Sequence, residues 1–226
     1  MMHSQTNRRG LLPAILLFTG LPIFIYATGD FPRRTLLKES ISLLTIIGFC
    51  MMLAQFFLTR SGNSLLLGSN MAKVIKIHKI IGYVFVCIIL VHPFLIVLPR
   101  YFEAGLDPAA CLITILRTYS NSGILIGIFA WCLMSILLVT AIFRKKIPLP
   151  YKTWVQFHKW LSIACMIFAC WHALDLGRHT DRVLSAYIIL LAFCGILLPL
   201  KNSKSPTVLQ SEISRPGKGE ISRDSF

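Results

Sequence analysis

The chain has 226 residues, 55% hydrophobic and only 14% charged, with mean hydropathy +0.70 and a formal net charge of +14. A soluble domain carries nearer a quarter charged residues, and several apolar runs here approach the roughly 20 residues that cross a bilayer; the composition excludes a soluble enzyme and implies a polytopic helical membrane protein. Nucleic-acid binding is not the reading of the positive charge, because the basic residues cluster in loops beside apolar spans, where topology and lipid headgroups place them.

In chain order, residues 1–9 are polar, end in Arg8 and Arg9, and read as a cytoplasmic N-terminus. Residues 10–28 have the basic start of a signal peptide. The run is long for one and is interrupted by Pro13 and Pro22, so a retained first span is predicted. A basic loop follows, with Arg33, Arg34 and Lys38, and then a second span over about 41–59 that contains Gln55. After a polar connector, the third span covers about 74–98, with Pro93 expected to bend it and Pro99 to end it. Residues 100–119 read as the longest loop, partly apolar.

The fourth span, about 121–143, carries Gly123 and Gly127, a GxxxG that permits close helix approach. Arg144, Lys145 and Lys146 stop it. The fifth span covers about 151–174 and the sixth about 183–200. The domain is thus 10–200, a six-helix all-α membrane bundle, followed by a polar, disordered cytoplasmic tail over 201–226. Six of the seven cysteines fall inside spans, with Cys111 in a loop and no CxxC, which predicts buried thiols rather than disulfides.

Lys and Arg counts orient the bundle. With the N-terminus inside, the inner loops hold Arg60, Lys73, Lys76 and Lys79, then Arg144, Lys145, Lys146 and Lys152. The outer loops hold fewer, which places both termini in the cytoplasm of a cell membrane.

Two stretches share one design. HKIIGYVFVCIILVH runs from His78 to His92, and HKWLSIACMIFACWH from His158 to His172. Each opens with His-Lys and has thirteen residues between its histidines. A step of fourteen residues climbs about 21 Å and makes almost four turns. The two histidines of a stretch therefore lie on nearly one face, near opposite ends of a spanning helix. Both helices run the same way, so His78 matches His158 in depth and His92 matches His172. An ionisable side chain in a bilayer is costly and points to function. Independent packing histidines have no reason to repeat a spacing or share a depth. The pattern suits two six-coordinate haems stacked between helices 3 and 5. Zinc needs its ligands around one point, which histidines about 21 Å apart do not provide. A proton or metal-ion pathway would add intramembrane acids, and the spans hold almost none.

Flanking residues add detail. Ser162, Cys165 and Ala169 follow His158 on the face leading to His172, and Gly82 sits one turn above His78; small side chains there leave room for flat macrocycles or simply let helices pack. Phe85 and Phe168 fall at middle depth. Lys79, Lys159, Arg60, Arg100 and Arg178 are candidates for haem propionates beside their ordinary role as topology signals. His179 reads as an exposed loop histidine.

Six spans, two H-x13-H helices and the segment PYKTWVQFHKWLSIACMIFACWHALDLG resemble the ferric reductase-like transmembrane domain, the family of ferric reductases and the NADPH oxidase membrane domain, over about residues 40–200. The resemblance implies two b-type haems, one held by His78 and His158 and one by His92 and His172. It implies electron flow from a cytosolic flavin to an acceptor outside, such as ferric iron, oxygen or a periplasmic reductase. Long members continue into FAD- and NAD(P)H-binding domains. Here 26 residues follow the last span and no GxGxxG occurs, so no FAD or NAD(P) site is expected. The donor would then be a separate flavoprotein or a quinol, and the chain a membrane oxidoreductase component rather than a complete enzyme. The haem subunit of the bacterial methionine sulfoxide reductase system is a more distant resemblance. A His-dependent proton or metal transporter subunit, or a haem-bearing assembly subunit, are the readings from other classes.

Overall fold

The computed structural model describes residues 12–32, 34–60, 71–118 and 120–201. Among them the chain is all-helical, without strands: α1 (Leu12–Thr28), α2 (Leu36–Arg60), α3 (Met71–Ala104), α4 (Pro108–Arg117), α5 (Ser122–Ile142), α6 (Tyr151–Leu176) and α7 (Arg182–Lys201), with one 3₁₀ turn at Arg144–Lys146. The predicted N-terminal segment, the tail, Arg33 and the side chains of Arg60 and Lys73 lie outside the described residues.

Four helices are long and apolar enough to cross a bilayer: Leu36–Leu58, Val74–Ala104, Ser122–Ile142 and Tyr151–Leu176. The first and sixth predicted spans form α1 and α7, whose apolar stretches are shorter. Two other expectations need correction. Most of the predicted 100–119 loop is helical: α3 continues to Ala104, Gly105 turns the chain at φ +64°, and α4 follows to Arg117. The signal was present in Leu106-Asp107-Pro108, because the Asp107 carboxylate accepts from Ala110 N–H at 2.7 Å while Pro108 fills the first turn, where no N–H is needed. Asn121 and Asp181 cap α5 and α7 in the same manner. Nor does Pro99 end the third span, since α3 runs through both Pro93 and Pro99. A proline in a membrane helix is tolerated when neighbours satisfy freed backbone groups; near Pro93 the Trp131 indole of α5 donates to the Leu90 carbonyl at 2.9 Å.

Packing sets up two antiparallel pairs, α2 with α3 and α5 with α6, with α7 against α2 and α6 and α1 against α2 and α7. Helices α3 and α6 share no extended close backbone approach. One buried cluster joins Phe18 and Ile25 of α1, Cys50, Leu53 and Ala54 of α2, Met166 and Cys170 of α6, and the inner face of α7 from Leu184 to Ala192. A second cluster joins Met134 and Leu137 of α5 to Cys165 of α6, with Val86, Ile89 and Leu90 of α3 packed on it. Lipid tails are as apolar as leucine, so these clusters hold by close interdigitation rather than by escape from water. The opposite faces stay exposed, as at Trp160, Ile167 and Trp171 of α6, where a bilayer would cover them. The second cluster sits at mid-height and separates the two ends of the bundle, each of which carries one histidine pair.

Candidate haem-binding site

Helix α3 carries His78 and His92, and α6 carries His158 and His172. His78 lies within electrostatic reach of His158, and His92 of His172. All four are half-buried. The fold thus brings together the residues matched in depth by the sequence. Among the described residues no three His, Cys, Asp or Glu side chains converge as a metal-binding group.

At the His92/His172 end the imidazoles are held by their Nδ1 atoms. His172 Nδ1 is 2.9 Å from the Gly123 carbonyl of α5. A carbonyl only accepts, so Nδ1 carries the proton and Nε2 has a free lone pair. His92 Nδ1 is 3.2 Å from Thr45 Oγ1 of α2. The Thr45 hydroxyl already donates to the Ile41 carbonyl at 2.8 Å, so toward His92 it accepts, and the same tautomer follows. Gly127 explains how His172 fits: a Cβ there would stand 2.4 Å from His172 Nδ1. A Cβ on Gly123 would stand 2.2 Å from Asp175 Oδ2. The GxxxG is therefore a seat for one histidine and the turn after it, a role the motif alone did not disclose.

At the His78/His158 end both Nδ1 atoms are buried and have no hydrogen-bond partner among the described residues. The His158 ring instead stacks on Trp154, with centroids 5.0 Å apart and planes 24° from parallel. Gly82, one turn from His78, faces open space, with nothing within 4 Å of a Cβ built on it. None of the four Nε2 atoms makes a hydrogen bond within the described residues.

The remaining predicted residues separate. Cys165 packs against α5, its thiol 3.7 Å from the Ala130 carbonyl, so it serves helix contact rather than an opening. Ser162 turns its hydroxyl back to the His158 carbonyl at 2.6 Å. Phe168 packs edge-on against Phe129. Lys159 is buried with its ammonium 4.9 Å over the Trp160 ring, Arg178 bonds the Pro32 carbonyl, and Lys79 and Arg100 are exposed.

His179 corrects the sequence reading most clearly: it is buried, with 6% exposure. Its Nε2 is 3.0 Å from Arg34 and 3.7 Å from Glu39, and its ring packs on Tyr26 and Phe31. Arg34 also bonds Glu39 at 2.9 Å and Ser42 at 2.7 Å, and Tyr26 donates to Glu39. Burial is the main cause that lowers the His179 pKa; Arg34 and Arg178 add to it and Glu39 opposes. This network fastens the α6–α7 turn to α1 and α2. No local sequence pattern links residues 26, 34, 39 and 179.

A family model described as ferric reductase like transmembrane component matches residues 44–155, a stretch that contains α3 with His78 and His92 and ends just before His158. A protein of Archaeoglobus fulgidus, described as uncharacterized, is 35% identical over 158 residues, which is 70% of this chain and 86% of that protein. No solved structure matches the chain.

Proposed function

Because the chain belongs to the ferric reductase-like transmembrane family, and is a multi-pass membrane protein of the electron-transfer class, we propose that it is a b-type cytochrome. It would take electrons from a cytosolic flavoprotein or a quinol and deliver them to an acceptor outside the membrane: ferric iron, oxygen or a periplasmic reductase. Two haems would be held between α3 and α6, one by His78 and His158 and one by His92 and His172. The observation that carries the reading is the state of the imidazoles. Among the described residues every Nε2 is unengaged, and at one end both Nδ1 protons are taken by oxygens of neighbouring helices. Metal-ligating histidines present one nitrogen to iron and give the other to such an oxygen, which fixes tautomer and ring plane. The absence of close α3–α6 packing and the open space at Gly82 leave room for a flat group.

Haem bound by these histidines would supply one-electron chemistry. The chain's residues then have defined tasks. Gly123 and Thr45 fix the rings of His172 and His92, and Gly127 admits the His172 ring. Met134, Leu137 and Cys165 keep water from the layer between the two ends. With the His78/His158 end inside, moving one charge fully across an inside-negative membrane contributes about 2.3 kcal/mol per 100 mV toward export of electrons.

The test is a haem count with reduced-minus-oxidised spectra on the purified protein. Two low-spin b haems per chain are expected, and one in either His92→Ala or His172→Ala. A chain without haem would overturn the reading. In vesicles with reductant enclosed and an impermeant acceptor outside, transfer should be present and should be lost in both variants.

A further inference from the structure

The proposed function leaves unexplained a cluster at the His78/His158 end. Arg144 follows α5, and its guanidinium lies 5.2 Å over the Trp154 ring and 5.8 Å over Tyr151. Trp154 in turn stacks on His158. Arg144 Nε and Trp154 Nε1 are both buried, and neither has an acceptor among the described residues. Arg144 makes one long bond, from Nη2 to the Leu149 carbonyl at 3.3 Å. Both orphaned atoms are donors only. A buried donor without an acceptor is costly, more so when charged, so two side by side call for an acceptor from beyond the described residues.

Charge narrows what that acceptor is. The acidic side chains of the described residues, Asp30, Glu39, Glu103, Asp107, Asp175 and Asp181, all stand at the helix termini of the opposite end. Among the described residues Arg144 therefore has no carboxylate partner, whereas Arg34 and Lys38 at the far end are paired with Glu39 and Glu103. The missing group is an anion with oxygen acceptors, one helical turn from a histidine that would ligate iron.

We propose that Arg144 and Trp154 receive a carboxylate of the haem held by His78 and His158, with Arg144 supplying the charge and Trp154 a directed N–H. The inference rests on the haem reading above. Of the five residues predicted for this task, Lys79 is exposed and Lys159 is turned toward Trp160. A haem carboxylate and a lipid phosphate offer the same chemistry to these donors, and the experiment separates the two.

The experiment is redox titration of purified protein in detergent, followed spectroscopically, for wild type, Arg144→Met, Arg144→Lys and Trp154→Phe. A His172→Ala background leaves one haem to be read. Removing the cation leaves the carboxylate uncompensated and favours the ferric state. Arg144→Met should lower the reduced-to-oxidised ratio of the remaining haem about tenfold at fixed potential, which is about 59 mV for a one-electron couple. Trp154→Phe keeps the stacked ring and should move the same haem the same way by less. Arg144→Lys should keep most of the wild-type potential. In the otherwise wild-type chain the second haem should not move, and haem content should stay at two, which shows that the variants fold. Unchanged potentials in both Arg144→Met and Trp154→Phe would overturn the proposal. So would loss of co-purifying phospholipid in Arg144→Met with potentials unmoved, which would assign the donors to a lipid. A wild-type chain without haem would instead refute the function on which the inference rests.

Discussion

At the His92/His172 end each Nδ1 is held by an oxygen of a neighbouring helix, from Thr45 of α2 and Gly123 of α5. At the His78/His158 end both Nδ1 atoms are buried without one among the described residues, and the His158 ring leans on Trp154. The ends differ in charge as well: the first holds all the acids of the described residues, and the second holds Lys76, Lys79, Arg144, Lys145, Lys146, Lys152 and Lys159 with none. Two stretches of nearly identical pattern therefore sit in different surroundings at their two ends. A hydrogen bond from Nδ1–H makes the other nitrogen a more basic ligand. If the proposed haems are bound, the His92/His172 pair would be the stronger donor to iron, held by directed bonds, and the His78/His158 pair the weaker one, held by ring contact and a nearby cation.

The largest effect that tests this contrast is at the glycines. Gly127→Ala places a methyl 2.4 Å from His172 Nδ1 and should remove one of two haems, with a loss of about 1–3 kcal/mol in thermal unfolding. Gly82→Ala, in open space, should retain both haems; equal damage from the two would erase the difference between the ends.

Next is the pH response of the network that ties the α6–α7 turn to α1 and α2. The folded-state pKa of His179 is lowered below the usual 6.5, chiefly by burial. Its neutral form is the docked one, so its contribution to stability is complete above about pH 6.5 and is lost as pH falls from there through the lowered value. Melting temperature in detergent should drop over that window in the wild type and drop less in His179→Asn. An unchanged slope in the variant would show that His179 does not titrate with folding.

The smallest effect should come from Thr45→Val, which keeps shape and removes the acceptor of His92 Nδ1. About 1 kcal/mol of stability should go. One haem should shift to higher potential in a redox titration as its ligand becomes less basic, while its count stays at two. A matching shift of both haems would deny that the ends are independent.

The histidine pairs were legible in the chain because a helix converts spacing into position: fourteen residues is nearly a whole number of turns, and a repeated spacing on two spans of one direction fixes a shared depth. Composition determined the membrane class for an equally local reason, since a bilayer selects on length and polarity alone. Helix α4 was also written locally, in Asp107 and Pro108, though an apolar run of ten residues is ambiguous without its cap. What only the tertiary structure decided are relations between residues far apart in sequence. The chain does not state that Gly127 lies under His172, that Thr45 meets His92 across 47 positions, or that Arg34 and Glu39 bury His179. It does not state that Arg144 and Trp154 share a cluster without an acceptor among the described residues. Those contacts follow from which helix packs on which, and that is settled by the fit of whole surfaces rather than by any local pattern.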